Sequence, residues 1–304
     1  MRRQLELETR RLEPVGRLAE PFVIADQVAE ALTRPPAGKG VMDRKPSSRP
    51  LAEELESLRA LYTELQQSLN AGAQLQRLLC APRSLERGAV EIASEIFPVR
   101  HLSGDFCKVL DLGEEIGLAI GDIAGKGVGA GLWLPHLVGL VKSHAESSYT
   151  TINTLAAINR DLCRLQPNAP MTALFFARLD PVTGEMSYCN AGLPAPLLLR
   201  RNGNVEWLRE GGAVLGVMPN ATFACGRAIL GPGDLLIGYS DGISEAHNLC
   251  DEEFGSTGLV NAAKQLKPAA AATLLYSLIG AVQDFAGSRP RGDDLTLMVV
   301  RRRP

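Results

Sequence analysis

The stretch Gly121-Asp122-Ile123-Ala124-Gly125-Lys126-Gly127-Val128-Gly129-Ala130-Gly131-Leu132 sets the frame for reading this chain. An apolar run over Ile116–Ile123 reads as a strand, the glycines at 125, 127 and 129 allow a tight turn, and a helix begins near Val128. The aspartate therefore stands where a strand ends. Three further stretches repeat that placement: Ser103-Gly104-Asp105-Phe106, Ser240-Asp241-Gly242, and Gly292-Asp293-Asp294-Leu295-Thr296. Each one alone reads as an ordinary turn residue. Gathered together, four carboxylates at strand ends repel one another unless cations lie among them, and hard oxygen donors of this kind suit Mg²⁺ or Mn²⁺.

Outward from that stretch the chain is rich in short strands. They are expected over Ala89–Phe97, Phe106–Leu110, Ile116–Ile123, Ala173–Leu179, Glu185–Cys189, Pro196–Arg200, Val205–Leu208, Phe223–Leu230, Leu235–Tyr239 and Leu295–Arg301. Asp180-Pro181-Val182-Thr183-Gly184 and Asn202-Gly203-Asn204 read as hairpin turns. Helical patterns cover Val128–Ser147, Thr150–Leu165, Thr257–Gln265 and Pro268–Phe285. Hairpin-linked strands with helices inserted in pairs predict an α+β fold of packed antiparallel sheets flanked by helices.

The motifs occur in the order found in a known family. Asp105 in its Ser-Gly-Asp-Phe setting, the GDIAGKGVGAGL run, Ser240-Asp241-Gly242 with Ile243-Ser244-Glu245-Ala246 after it, and Gly292-Asp293-Asp294-Leu295-Thr296 resemble the SpoIIE/RsbU-type branch of the PPM (type 2C) protein phosphatases. Met171-Thr172-Ala173-Leu174-Phe175, Tyr188-Cys189-Asn190-Ala191-Gly192, Leu215-Gly216 and Gly233-Asp234-Leu235-Leu236 add weaker matches, so the resemblance covers residues 65 to 302. It implies an αββα sandwich preceded by an N-terminal helix, and a hydrolase that removes phosphate from phosphoserine or phosphothreonine with two Mn²⁺ or Mg²⁺ ions. Its implied substrate is a bacterial signalling protein, a STAS-domain anti-anti-sigma factor.

Carried over residue by residue, the resemblance makes Asp105, Asp122, Asp241 and Asp293 the catalytic set. Asp122 bridges both metals and the Ile123 carbonyl adds a ligand. Asp241 and Asp293 complete one metal site and Asp105 the other. Asp294 either supports these ligands or helps a weaker third ion. Ser240 and Thr296 either orient carboxylates or are ordinary strand-end hydroxyls. Lys126 reads as a solvated loop lysine or as a phosphate ligand; no general acid is visible in the sequence, and His101 before Asp105 and His247 after the Asp241 loop are the loop-histidine candidates. Two positions depart from the family pattern: Lys108 replaces an acidic residue, and Leu193 replaces the histidine of Asn-Ala-Gly-His.

Composition narrows the field further. At 304 residues with a formal net charge of −2, the chain has room for one large domain plus an appendage and lacks the basic footprint of a nucleic-acid or anionic-membrane binder. Six cysteines at 80, 107, 163, 189, 225 and 250 show no CxxC, which favours reduced thiols in the cytoplasm. The charged N-terminus has no apolar signal region, and the apolar stretch Gly131–Val141 is too short to span a bilayer. Gly125-Lys126-Gly127-Val128-Gly129-Ala130 mimics a dinucleotide fingerprint, but a second helix follows where a strand ending in an acid is needed. The rival of another class is a catalytically weak phosphatase-fold module that binds or scaffolds a phosphoprotein.

The chain divides into an N-terminal segment and flexible linker over 1–50, an amphipathic helix over 51–82, and a phosphatase domain over 83–304. A short helix is expected at Pro21–Leu32, and Thr33–Pro50 has linker composition. Leu51, Leu55, Leu58, Tyr62, Leu65 and Leu69 alternate by four and three along one helix seam; the seam fails at Gly72, and Leu75, Leu78 and Leu79 resume an apolar face up to Pro82. Either that helix packs on its own domain or it pairs with a second chain, giving a homodimer through residues 51–79.

Overall fold

The computed structural model describes residues 48–80, 84–266 and 269–304. The helix expected at Pro21–Leu32 and nearly all of the linker Thr33–Pro50 lie outside them. The chain divides into two units, Met1–Glu56 and Ser57–Pro304, and the contacts below belong to the second.

In chain order the elements are α1 (Ser48–Cys80), β1 (Ser84–Arg87), β2 (Val90–Phe97), β3 (Phe106–Leu112), β4 (Glu115–Ile123), α2 (Val128–Ser147), α3 (Thr151–Arg164), β5 (Thr172–Leu179), β6 (Glu185–Ala191), β7 (Leu197–Leu199) and β8 (Val205–Trp207). There follow β9 (Gly211–Gly212), β10 (Gly226–Ile229), β11 (Leu235–Tyr239), α4 (Asp241–Ser244), α5 (Gly255–Gln265), α6 (Ala271–Ala286) and β12 (Leu295–Arg302). Every expected strand and helix within the described residues is present, with ends moved by a few residues. Sequence patterning missed β1, the two-residue β9 and the single turn α4, all too short to show a period.

The strands form two sheets, ordered β1-β2-β12-β11-β7-β8 and β10-β6-β5-β4-β3, with β9 paired parallel to β6. All other pairs are antiparallel. Alternation along the strands sends one set of side chains inward, and Ile92, Leu118, Phe175, Leu236 and Val300 from the two sheets share one apolar core. The opposite faces are also apolar. Leu134, Leu137, Val141, Leu155 and Ile158 of α2 and α3 cover Phe106, Ala119 and Phe176. Leu274, Leu275 and Leu278 of α6, with Leu259 of α5, cover Leu197, Ile237 and Val299. Helix, sheet, sheet and helix layers result, each buried leucine contributing about 2 kcal/mol of hydrophobic stabilisation.

The turns follow their sequence signals. Asp180 closes the β5–β6 hairpin by accepting from the Val182 amide at 2.7 Å and the Thr183 hydroxyl at 2.9 Å. Helix α1 runs unbroken through Gly72, where the leucine seam was expected to fail. The face it lays on the domain is the C-terminal continuation of that seam, since Gly72 and Gln76 follow Leu65 and Leu69 at the same four-three spacing. Gln76 and Cys80 are buried, and Gly72 brings the helix close to the Leu102 side chain. Leu58, Tyr62, Leu65, Leu75 and Leu78 remain exposed. The seam thus meets the domain at its C-terminal end through Gly72, Gln76 and Cys80, while its upstream Leu58, Tyr62 and Leu65 stay exposed.

Candidate metal centre

Antiparallel pairing brings the distant aspartates to one end of the sandwich. Phe106 pairs with Gly121, so Asp105 just before β3 comes level with Asp122 near the end of β4. In the other sheet Tyr239 pairs with Leu297, which sets Asp241 just after β11 beside the start of β12, where Asp293 and Asp294 stand. Two close approaches require glycine. A Cβ on Gly104 would lie 2.9 Å from the Ile123 carbonyl oxygen, and one on Gly242 would lie 2.0 Å from that of Asp294. The Gly104-Asp105 and Asp241-Gly242 pairs thus mark places where strand ends touch, whereas Gly292 has open space around it.

Asp105 is buried; its Oδ2 accepts from the Thr296 hydroxyl at 2.6 Å and its amide donates to Ser103 Oγ at 3.0 Å. Burial, then the negative charge of Asp122, pushes its carboxyl well above the usual range, opposed by hydroxyl hydrogen bonds from Thr296 and Ser240. Asp122 is pushed up to about 6, first by burial and then by Asp241 and Asp293. Asp241 is raised by burial and then by Asp293. These mutual shifts show carboxylates crowded against their own repulsion. Among the described residues, however, no three carboxylate, imidazole or thiolate side chains close on one point as a finished ion cage.

Asp293 accepts from the Asp294 amide at 2.9 Å and pairs with Lys126 Nζ at 2.5 Å; Lys126 also donates to the Gly292 carbonyl at 3.2 Å. Lys126 is thus an exposed loop lysine, as one of the two readings had it, and the glycine turn carries it across to an ion pair beside β12. That hydrogen bond to Asp293 is the main cause raising its ammonium pKa. Asp294 is buried and accepts from the Val99 amide at 2.7 Å and the Ser103 hydroxyl at 2.6 Å. Ser240 accepts from the Thr296 amide at 3.1 Å and donates to the Asp294 carbonyl at 3.3 Å.

Ser103 links the Asp105 amide to the Asp294 carboxylate through its hydroxyl, a role its Ser-Gly-Asp-Phe setting does not reveal. Its backbone is held by Gln76 of α1, which accepts from the Ser103 amide at 3.1 Å and donates to the carbonyls of Ser103 at 3.3 Å and Gly131 at 2.9 Å. No sequence signal singled out Gln76, a polar residue within an amphipathic helix. His101 hydrogen-bonds Gln66 of the same helix, and His247 Nδ1 meets the Glu245 carbonyl at 2.6 Å. Neither imidazole hydrogen-bonds an aspartate of the cluster.

Both departures from the family pattern have local accounts. Lys108 donates to the Leu79 carbonyl at the end of α1 at 2.5 Å. Leu193 is buried in the inter-sheet core, while its backbone amide and carbonyl are both satisfied by the Asn190 side chain at 3.0 and 2.9 Å. A histidine there would bring a polar ring into an apolar layer.

The family model for Stage II sporulation protein E (SpoIIE) matches residues 113–303. Protein IcfG of Synechocystis sp. is 26% identical over 220 residues, 63% of this chain and 35% of that protein. The phosphoserine phosphatase RsbU of Bacillus subtilis is 24% identical over 242 residues, covering 77% of this chain and 70% of RsbU. The chain thus spans about a third of the first of these relatives and most of the second. The SiaA-PP2C domain of Pseudomonas aeruginosa superposes with a TM-score of 0.69 at 15% identity, covering 80% of this chain and 98% of that domain, and so shares the fold. With four layers, the strand-end aspartates and the family match over most of the folded region, the chain belongs to the SpoIIE family and carries its PP2C-type domain.

Proposed function

We propose that this protein is a Mn²⁺- or Mg²⁺-dependent protein phosphatase that removes phosphate from phosphoserine or phosphothreonine on a signalling protein, a STAS-domain partner by family resemblance. The observation that carries the reading is the cluster of crowded carboxylates, with Asp122 raised to about 6 by burial and by Asp241 and Asp293. Such crowding is costly in the absence of compensating charge and useful around divalent cations. The donors fit hard ions, being carboxylates backed by hydroxyls. Asp122 would serve both ions and the Ile123 carbonyl would add one ligand, with Asp241 and Asp293 serving one ion and Asp105 the other. Asp294, bound to Val99 and Ser103, would hold the surrounding loop or a weaker third ion. When bound, the ions neutralise phosphate charge and make water acidic enough to attack near neutral pH.

The chain's own residues do the positioning. Thr296 and Ser103 fix one side of the cluster through hydrogen bonds of 2.6 Å to Asp105 and Asp294. Helix α1 reaches the same loop through Gln76, so its placement bears on Asp105. We assign residues 51–82 to a connecting helix and 83–304 to the phosphatase domain, and leave 1–50 as a separate segment of unassigned role. The exposed Leu58, Tyr62 and Leu65 support a homodimer through residues 51–79. No helix of the described residues is long and apolar enough to cross a membrane, and six free cysteines suit a reducing cytoplasm.

The test is phosphate release from a phosphoserine STAS protein with Mn²⁺ and with EDTA. Release with metal and none with chelator is expected. Tight binding without release under any metal would favour the scaffold reading instead.

A further inference from the structure

Beside the aspartates a cleft of about 370 Å³ runs from Asp293 and Lys126 between two loops. That volume is enough for a short peptide segment. One wall is the segment after α4, carrying Glu245 and His247; the other is the segment between α6 and β12, carrying Arg289 and Arg291. Its floor includes the buried apolar side chains of Val282 and Leu295. A phosphoserine delivered to the aspartates has its neighbouring residues beside this cleft.

The walls differ in sign. Arg289 is compensated, donating to Asp251 at 2.5 Å and to the Asn248 carbonyl at 2.9 Å. His247 is held by the Glu245 carbonyl, with Nε2 3.8 Å from Glu253. Lys126 is paired with Asp293. Arg291 is exposed and has no ion-pair partner among the described residues, and it stands two residues before Asp293. Glu245 is exposed on the facing wall, likewise with no ion pair among the described residues. The cleft thus offers one free guanidinium close to the aspartates and one free carboxylate opposite. A guanidinium fork matches a carboxylate in two-point geometry.

Resting on the phosphatase reading above, we propose that the cleft seats the polypeptide flanking the phosphoserine, and that Arg291 selects an acidic side chain next to the phosphorylated residue. Glu245 disfavours extra negative charge on its side, so the pair sets which way round an acidic flank is accepted.

The test uses two synthetic phosphoserine peptides, one flanked by aspartates and one by lysines, together with a small aryl phosphate, all with the full chain and Mn²⁺. The wild type should turn over the aspartate peptide with a kcat/KM about tenfold above the lysine peptide at low salt, narrowing as salt rises. Arg291→Glu should abolish or invert that ratio, and Glu245→Lys should widen it. Equal turnover of both peptides by the wild type, or a ratio unmoved in both variants, overturns the proposal. So does an equal loss on the aryl phosphate and both peptides in Arg291→Glu, which would put Arg291 on the transferred phosphate itself. If neither these substrates nor the phosphoserine STAS protein releases phosphate with any metal, the phosphatase reading fails instead; release from the STAS protein but from neither peptide overturns the cleft proposal alone.

Discussion

The aspartate end of the sandwich and the upstream stretch of helix α1 break opposite rules of folding. At the first, acidic groups are crowded and partly buried, with Asp105 inside the protein and Asp122 raised to about 6. At the second, Leu58, Tyr62 and Leu65 are left in water. Elsewhere polarity and burial agree closely, and Thr172 Oγ1 is the only buried side-chain polar atom without a partner among the described residues. The difference shows what each region lacks. One calls for positive charge, the other for apolar surface, and each points to something the chain does not itself supply.

Removing charge at the first region should have the largest effect. Asp122→Asn is expected to lower phosphatase kcat/KM by at least about 10³-fold, because the position would serve both ions. Steady-state assays across a Mn²⁺ range check this, and near-normal activity at saturating metal would detach Asp122 from the chemistry. The same substitution sharpens the comparison through stability. A carboxyl whose folded pKa is raised above its unfolded value contributes stability that is complete below the unfolded pKa and lost as pH climbs through the folded one. For Asp122 that window runs from the ordinary 3.8 to about 6. Metal-free Asp122→Asn should therefore melt a few degrees above wild type at pH 7.5, with the gap closing toward pH 4; a lower Tm at pH 7.5 would mean that the carboxylate is not strained.

The second region is broken by adding charge. Leu58→Asp combined with Leu65→Asp should convert a dimer to a monomer on light scattering, with Mn²⁺ affinity retained and basal phosphatase activity altered about two- to tenfold. A wild type that is already monomeric at micromolar concentration removes the reason for the exposed seam. A third effect, confined to metal affinity, lies between the two regions. Ser103→Ala removes the hydroxyl joining Asp105 to Asp294 and should weaken Mn²⁺ binding about tenfold, with Ser103→Thr restoring part of it. Calorimetric titration distinguishes this from a general loss of fold.

The fold was legible because its signals are local. Period-two strands, the Asp180–Gly184 turn and the apolar helices each carry their own pattern, and antiparallel pairing follows from short connections. The aspartates were legible because glycine beside them marks a backbone approach that side chains forbid, as at Gly104 and Gly242. What could not be read is pairwise and distant. Lys126 reaches Asp293 across 167 positions, and Gln76 reaches Gly131 across 55. Nothing near either residue in sequence encodes such a partner. For a related reason leucine spacing marks an apolar seam on α1 but not what each part of it meets: Gly72, Gln76 and Cys80 carry the contact with the domain, while Leu58, Tyr62 and Leu65 upstream stay exposed.

The central claim is that one shared carboxylate cluster holds two divalent ions. Isothermal titration of Mn²⁺ into the metal-free full chain at pH 7.5 tests it most directly. Two ions per chain for wild type, with both lost or greatly weakened in Asp122→Asn, is the predicted result. A single ion, or two ions bound undiminished by Asp122→Asn, would contradict it.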